Sequence, residues 1–322
     1  MQTTGKITLN SPGKINLHLA VGEKRADGFH ALESAFTAID FADSLTFSVL
    51  PGNEAITRLT VRKEGPLLEL SQKGQYFPAI PTEKNIVFLA SQLFRLKTGL
   101  KTNLGIELIK HIPPGSGLGG GSSNAAATLL ALNEFAGNSG EKLSGDELLG
   151  LASQLGSDVP FFVEITLQSP EKSPARFVSG RGEIFDFLPS PPQYGILLVF
   201  PGFASHTGAA YNLLDENRVL LNQQAETNAL FRKEFSWNFP DNWNFSNDFQ
   251  ELFLKFGPEQ EKESYNVIFT GLKKAGAAFS GLSGSGSCCF GIFSTIEEAA
   301  KAERALSGSF YVLKSTFFLR DS

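Results

Sequence analysis

Residues 113–127 read PPGSGLGGGSSNAAA. Five of the seven residues from Gly115 to Gly121 are glycine, two serines follow, and an alanine-rich run begins. Glycine loses more conformational freedom on folding than any other residue, so so dense a cluster marks a strained turn or a ligand pressed close to the backbone. Upstream, NLGIELIKHI (103–112) reads as a strand, and downstream SNAAATLLALNEF (123–135) reads as a helix. Strand, glycine loop and helix start together make an anion site. The first N–H groups of a helix have no internal partner, and its dipole favours negative charge there. Backbone opened by glycine can close around phosphate oxygens. The stretch Pro114, Gly115, Ser116, Gly117, Leu118, Gly119, Gly120, Gly121, Ser122 and Ser123 is therefore expected to cradle phosphate.

Three phosphate readings compete. A P-loop, GxxxxGK[ST], fails: Gly121 and Ser122 stand where its glycine–lysine or lysine–serine pair should be, and no lysine lies in the loop. Gly115, Gly117 and Gly120 match the dinucleotide pattern GxGxxG, with Glu134 at about the right distance. Two prolines separate strand from loop, however, and Glu134 falls inside a helix instead of ending a second strand. The third reading is a longer glycine–serine loop around a nucleotide triphosphate, its positive charge supplied from elsewhere. The bland alternative is a flexible linker, and the apolar strand and helix flanking the loop speak against it.

The whole chain bounds these readings. Its 322 residues suffice for one large domain or two ordinary ones. With 42% hydrophobic and 19% charged residues, it is expected to pack as a globular protein. Phenylalanine numbers 29 against one methionine, so aromatic rings should fill much of the core. The net charge of −5 argues against a nucleic-acid partner. No segment has the ~18 apolar residues of a membrane span. The start, MQTTGKITLN, lacks the apolar stretch of a secretion signal. Cys288 and Cys289 are adjacent, which suits neither a structural disulfide nor a zinc site. A cytoplasmic, reduced protein is expected.

Along the chain, KITLNSPGKINLHLAV (6–21) reads as extended, with Ile15, Leu17, Leu19 and Val21 on one face and Lys14, Asn16 and His18 on the other. RADGFH (25–30) reads as a turn, and 45–50 and 55–63 as strands. EKNIVFLASQLFRL (83–96) has helical spacing, opened near Asn85 and Ile86. SGDELLGLASQL (144–155) is a second helix, with Ser144 and Glu147 as a capping box and Gly156 at its end. ARFVSG and EIFDFL suggest a hairpin, and SPPQ (190–193) a boundary between domains at 1–192 and 193–322. The second block runs strand 194–200, helix 262–275, strand AAFSGL, loop SGSGS, strand CCFGIF, helix TIEEAAKAERAL and strand YVLKSTFF. That order predicts an antiparallel sheet with helices on one face, an α+β arrangement. Residues 221–262 carry few signals.

PPGSGLGGGSSNAAA resembles the central nucleotide loop of the GHMP small-molecule kinases, SPGKINLHL (11–19) their N-terminal motif and LSGSGSCCF (282–290) their C-terminal glycine motif. Three motifs in the right order across nearly the whole chain are far more specific than one. The resemblance implies a two-domain α+β fold, with a ribosomal protein S5-like N-terminal domain and a ferredoxin-like C-terminal domain. It implies ATP as co-substrate and assistance by Mg2+. Within the family, 12–34 and LGSDVPFF (155–162) resemble the members that phosphorylate the 2-hydroxyl of a cytidine diphosphate-linked methylerythritol in the non-mevalonate route to isoprenoids. A mevalonate or homoserine type of kinase and a nucleotide-binding protein without catalysis are the alternatives.

The resemblance also assigns roles, each weighed against a plainer one. Lys14 would be the cation near the reacting hydroxyl or γ-phosphate; the plain alternative is a solvated lysine. Asn16 would hold the substrate, while His18 reads as structural. Asp158, after Gly156 and before Pro160, would be the general base; the plain alternative is an Asx turn. Phe29 and His30 would read a pyrimidine, by stacking and by contact with its polar edge, instead of serving as a core staple and a surface histidine. The family more often has tyrosine before this histidine; phenylalanine keeps the stacking face without the hydroxyl. Tyr211, in PGFASHTGAAY, falls where the family places a second aromatic against cytosine. Asn85 and Ile86 would border the adenine. Ser122 and Ser123 read as helix caps, Ser122 also as a metal contact, and Ser283 to Ser287 as a loop near the phosphates.

Overall fold

In the computed structural model the described residues are 5–74, 77, 80–137, 140–167, 173–218, 237, 239–308 and 312–319. Two compact units form from interleaved segments. The first takes Met1–Gly13, Ala42–Pro113 and Gly119–Pro170, the second Lys14–Phe41, Pro114–Leu118 and Glu171–Ser322. Strands β1 (Lys6–Lys24) and β2 (His30–Leu50) each contribute residues to both.

In the first unit, β3 (Thr57–Lys63) runs parallel to β4 (Asn103–Lys110), with Leu59 opposite Ile106. The last part of β2 runs antiparallel to β4, with Phe47 opposite Ile106. Helices α1 (Gly65–Gln72), α2 (Ile86–Thr98), α3 (Gly120–Gly137), α4 (Gly145–Leu155) and α5 (Val159–Leu167) complete it. Helix α3 packs against α2, α4 and α5, and Ala125, Ala126, Ala127 and Ala131 are buried along it. Small side chains on so enclosed a helix let its neighbours approach closely. Helix α2 starts where Asn85 Oδ1 accepts from Val87 N (3.0 Å) and stops at Gly99, whose φ of 76° is left-handed. Helix α4 opens with the expected capping box, Glu147 N donating to Ser144 Oγ (3.3 Å) and Ser144 N to Glu147 Oε2 (3.0 Å).

Beneath this arrangement lies Asp43, which is fully buried. Its carboxylate accepts from Lys110 Nζ, from His111 N (2.7 Å) and Ile112 N (2.8 Å) at the end of β4, and from Asn124 Nδ2 (3.0 Å) in α3. One side chain thus ties the strand before the glycine loop to the helix after it. Burial pushes the Lys110 ammonium below its usual range, and the Asp43 charge and hydrogen bond oppose that shift.

In the second unit, β2 pairs through Ser34 and Ala35 with β5 (Ala175–Ser179), which forms the expected hairpin with β6 (Ile184–Phe187). A separate antiparallel sheet has the order β10 (Val312–Phe317), β7 (Gly195–Phe200), β9 (Cys289–Phe293), β8 (Phe279–Leu282). Around it lie α6 (Thr207–Asn217), α7 (Asp248–Phe256), α8 (Glu259–Lys274) and α9 (Ile296–Leu306), numbered here in chain order. Gly195 lies opposite Phe293 and Leu197 opposite Gly291, so the two glycines share a face. A Cβ on Gly291 would meet Leu272 of α8 at 2.8 Å, and one on Gly195 would meet Ala299 of α9 at 2.8 Å. Both helices therefore cover the same face, as the α+β reading expects. Leu197, Val199, Phe293, Ile268, Leu272 and Ala299 share the core cluster formed there.

Several expectations change. The strand expected at 6–21 reaches Lys24, and its polar face is interior: Lys14, Asn16 and His18 are as buried as Ile15 and Leu17. The reading of 45–50 as a strand caught only the end of β2, whose preceding residues include Ser34, Thr37, Asp40 and Asp43 and so hide its extended pattern. Helix α3 starts at Gly120, not at residue 123, because two glycines and two serines in its first turn mask helical propensity. Of 221–262, residues 221–236 and 238 lie outside the described residues; the rest includes a 3-10 turn at Pro240–Asn242, α7 and the start of α8. No helix among the described residues is long and apolar enough to cross a membrane.

Removing one partner of a buried ion pair leaves the other charge uncompensated, at a cost of roughly 3–5 kcal/mol. Asp43→Ala is therefore expected to lower the urea midpoint far more than Asp40→Ala, whose side chain is exposed. Equal midpoints for the two variants would remove Asp43 from the account of what holds β4 to α3.

Candidate active site

Three stretches far apart in sequence meet in the second unit: Lys14 to Asn16 of β1, the loop 114–118 and the loop 283–287. Lys14 N donates to Leu118 O (2.9 Å), and Ser283 Oγ to Gly117 O (3.0 Å). Ser287 N donates to Gly115 O (3.0 Å) and Cys288 N to Ser116 O (3.0 Å). Gly117 has φ 76°, and a Cβ there would stand 1.9 Å from Ser283 O. Close approach of two loops, together with left-handed backbone, requires glycine at this position. Asn247, at the N-cap of α7, holds the second loop by donating from Nδ2 to Leu282 O (2.7 Å) and Gly284 O (2.9 Å).

Lys14 is not a solvated lysine. It is 3% exposed, its Nζ donates to Asn16 Oδ1 (2.5 Å) and stands 4.6 Å from the Phe36 ring centre. Asn16 Nδ2 donates to Ser34 Oγ (2.9 Å), and Ser34 Oγ to His18 O. A cation held this way keeps a fixed position in surroundings that screen charge far less than water does. His18 Nδ1 accepts from Ser246 N (3.2 Å), a structural contact.

Phe29 and His30 part company. Phe29 is 56% exposed, with the Arg181 guanidinium 5.1 Å from its ring centre, so it is no core staple. His30 is buried, so it is no surface histidine: its Nε2 lies 2.8 Å from Asp215 Oδ1, and its ring stacks on Tyr211 at 5.0 Å and 25°. Burial pushes the Asp215 carboxyl up, but the His30 hydrogen bond and the charges of His30, Lys24 and Arg218 outweigh it and hold the group below the usual carboxylate range.

The first unit holds the remaining candidates. Ser123 N donates to Gly119 O (2.9 Å), so the N–H groups of Gly120, Gly121 and Ser122 are the ones a helix start leaves over. The two serines are therefore not caps but first-turn residues. Ser122 is half-buried, whereas Ser123 is buried and accepts from Ser11 Oγ (2.7 Å). A Cβ on Gly121 would lie 3.9 Å from Ile86 Cγ2, so the start of α2, capped by Asn85, stands beside the start of α3. Asp158 is half-buried in the turn between α4 and α5, directly before Val159, where the dipole of α5 favours a carboxylate. Burial pushes both cysteine thiols up, which disfavours thiolate chemistry. Sequence reasoning missed Asp43, Asp215 and Asn247; of these only Asn247, an asparagine just before Asp248 and an apolar run, carried a local signal, that of a cap.

Comparison with known proteins fits this arrangement. The family model described as "GHMP kinases N terminal domain" matches residues 85–164, and that described as "GHMP kinases C terminal" matches 241–312. A 4-diphosphocytidyl-2-C-methyl-D-erythritol kinase of Prochlorococcus marinus (strain AS9601) is 36% identical over 95% of this chain and 91% of its own length. The chloroplastic protein of that name from Arabidopsis thaliana is 33% identical over 89% of this chain and 67% of its own. A crystal structure of 4-(cytidine 5'-diphospho)-2C-methyl-D-erythritol kinase superposes with a TM-score of 0.67 at 26% identity, over 97% of this chain and 99% of that one. Homoserine kinase from Cytophaga hutchinsonii, at 18% identity and TM-score 0.60, shares the fold. The chain belongs to the GHMP kinases, a family of small-molecule kinases, and within it to the family of the 4-diphosphocytidyl-2-C-methyl-D-erythritol kinases.

Two outcomes follow from the geometry. Gly117→Ala should lower the melting temperature and raise the KM for ATP, because the new methyl collides with Ser283 O; a variant with normal values of both would show that the loop contact is dispensable. Because the folded-state pKa of Asp215 is depressed, its ion pairs stabilise the protein fully above the unfolded carboxylate value of about 3.9, and that stability is lost as pH falls through the folded value. The melting-temperature gap between wild type and Asp215→Asn should thus be full near neutrality and close in acid; a gap that widens in acid would reverse the sign.

Proposed function

We propose that this chain transfers the γ-phosphoryl group of ATP to the 2-hydroxyl of 4-diphosphocytidyl-2-C-methyl-D-erythritol, a step of isoprenoid precursor synthesis. The relatives' shared name supports the substrate. The observation that carries the chemistry is Lys14, a lysine enclosed in β1 and hydrogen-bonded through its own N–H to the glycine loop. Phosphoryl transfer depends on positioning and charge stabilisation more than on covalent chemistry. In this reading Lys14 stabilises charge at the γ-phosphate or the developing alkoxide. Asp158 takes the hydroxyl proton. Pro114 to Ser123 supplies N–H groups to the phosphates, and Asn85 and Ile86 border the adenine. Asn16, Phe29, His30 and Tyr211 hold the acceptor.

Magnesium belongs to the same proposal. Among the described residues no group of three or more His, Cys, Asp or Glu could hold a metal ion. The half-buried Ser122 hydroxyl fits an ion that takes most of its oxygens from nucleotide phosphates and water, as magnesium does in kinases. Bound there, it would neutralise phosphate charge. A division into an S5-like domain, 1–192, and a ferredoxin-like domain, 193–322, draws support from the two family matches, which fall on either side of it, and from the sheet of β7 to β10, which lies wholly beyond it, whereas the compact units interleave and assign Lys14–Phe41, Pro114–Leu118 and the chain from Glu171 to the second. A cytoplasmic place of action accords with two free cysteines, although the plant relatives are named chloroplastic.

ATP turnover measured against a panel of acceptor alcohols tests the reading. ADP release should be stimulated by the cytidine diphosphate substrate and not by mevalonate or homoserine; the opposite pattern would overturn the substrate. Asp158→Asn should fold and bind ATP while turnover falls by roughly 10²–10⁴. If Asp158 only shapes a turn, asparagine accepts the same backbone hydrogen bond and kcat stays within a few-fold of normal. Lys14→Met should be severe as well, and the double variant should lose much less than the product of the two single losses, because the residues would act as one unit.

A further inference from the structure

We propose that Asp215 is a positioning residue that keeps the proton of His30 on Nε2 and so makes the site select cytosine over uracil. The inference rests on the substrate reading above and on His30 as its base contact.

His30 Nε2 and Asp215 Oδ1 are 2.8 Å apart. An ionised carboxylate only accepts, so Nε2 carries the hydrogen. In the neutral ring Nδ1 is then an acceptor with no hydrogen to give. The surroundings hold this state in place. Tyr211 stacks on the imidazole at 5.0 Å and 25°, and Phe249 backs Tyr211 edge-on at 5.0 Å and 82°. Asp215 is itself steadied by Lys24 at 3.7 Å and Arg218 at 3.6 Å, and Arg218 is anchored by donating from Nη1 to Val21 O (3.0 Å). The carboxylate is thus held in place by two cations, and it in turn holds the imidazole in one orientation. Cytosine and uracil present opposite patterns at this edge: N3 accepts and position 4 donates in cytosine, N3 donates and position 4 accepts in uracil; in the proposed arrangement Nδ1 stands against position 4. A ring nitrogen that can only accept pairs with the cytosine amino group there and repels the uracil carbonyl. A site built around such an acceptor rejects the analogue that leaves it unpaired.

Two measurements test this. Long-range 15N spectra of the protein without substrate report the tautomer of His30, assigned among the four histidines by comparison with His30→Gln. The wild type should show the hydrogen on Nε2, and Asp215→Leu a mixture. The KM for the cytidine substrate and for its uridine diphosphate-linked analogue give a preference ratio. In Asp215→Leu that ratio should fall about tenfold, with kcat and the KM for ATP within about twofold of normal. Asp215→Asn, whose amide oxygen still accepts from Nε2, should recover most of it. A wild-type hydrogen on Nδ1, an unchanged ratio, or an equal rise in both KM values would overturn the proposal. A wild type active on the cytidine substrate with an unchanged ratio in the variant overturns only this proposal; a wild type inactive on that substrate overturns the reading beneath it.

Discussion

The contact between Gly117 and Ser283 is the constraint around which the second unit is arranged. Ser283 Oγ donates to Gly117 O, and the two backbones lie so close that no side chain fits between them. The same loop is held from another side by Lys14 N on Leu118 O. A five-residue loop of mostly small residues has little to pack with, yet this one is bonded at Gly115, Ser116, Gly117 and Leu118. Its shape is imposed from outside. Under the proposed function this matters, since N–H groups fixed in advance cost no reorganisation when charge arrives.

The buried lysine follows from the same arrangement. An ammonium in the interior is costly unless hydrogen-bonded. Asn16 accepts from it, Ser34 accepts from Asn16, and His18 O accepts from Ser34, so the cost is shared along a chain of polar groups. The first unit repeats the strategy with opposite sign, where four donors surround Asp43. Uncharged groups hold the buried lysine, whereas the buried aspartate combines one charged partner, Lys110, with two backbone N–H groups and the Asn124 amide.

Much of this could be read from the sequence, for identifiable reasons. The glycine loop, the alternation in β1 and the capping box of α4 are local patterns, and local patterns survive in a string of letters. The burial of Lys14, Asn16 and His18 did not, because alternation separates two faces of a strand without saying that both are covered. Phe29 and His30 exchanged the environments that residue type alone assigns them; an aspartate 185 residues away decides where the histidine sits. Asp43 and Asp215 were invisible because nothing near them in sequence marks a buried acceptor. Helix α3 was read late because glycine in a first turn lowers propensity while tertiary contacts supply what propensity lacks.

The clasp also orders events in time. Gly117 and Ser283 are 166 residues apart, so the glycine loop cannot take its final shape until nearly nine-tenths of this chain has been made. Until then Pro114 to Leu118 is a glycine-rich segment without its restraints. Contacts of such long range are closed late and slowly, after the loop-closure entropy has been overcome. A nascent chain lacking its last third would therefore carry the glycine-rich sequence but not the restrained conformation.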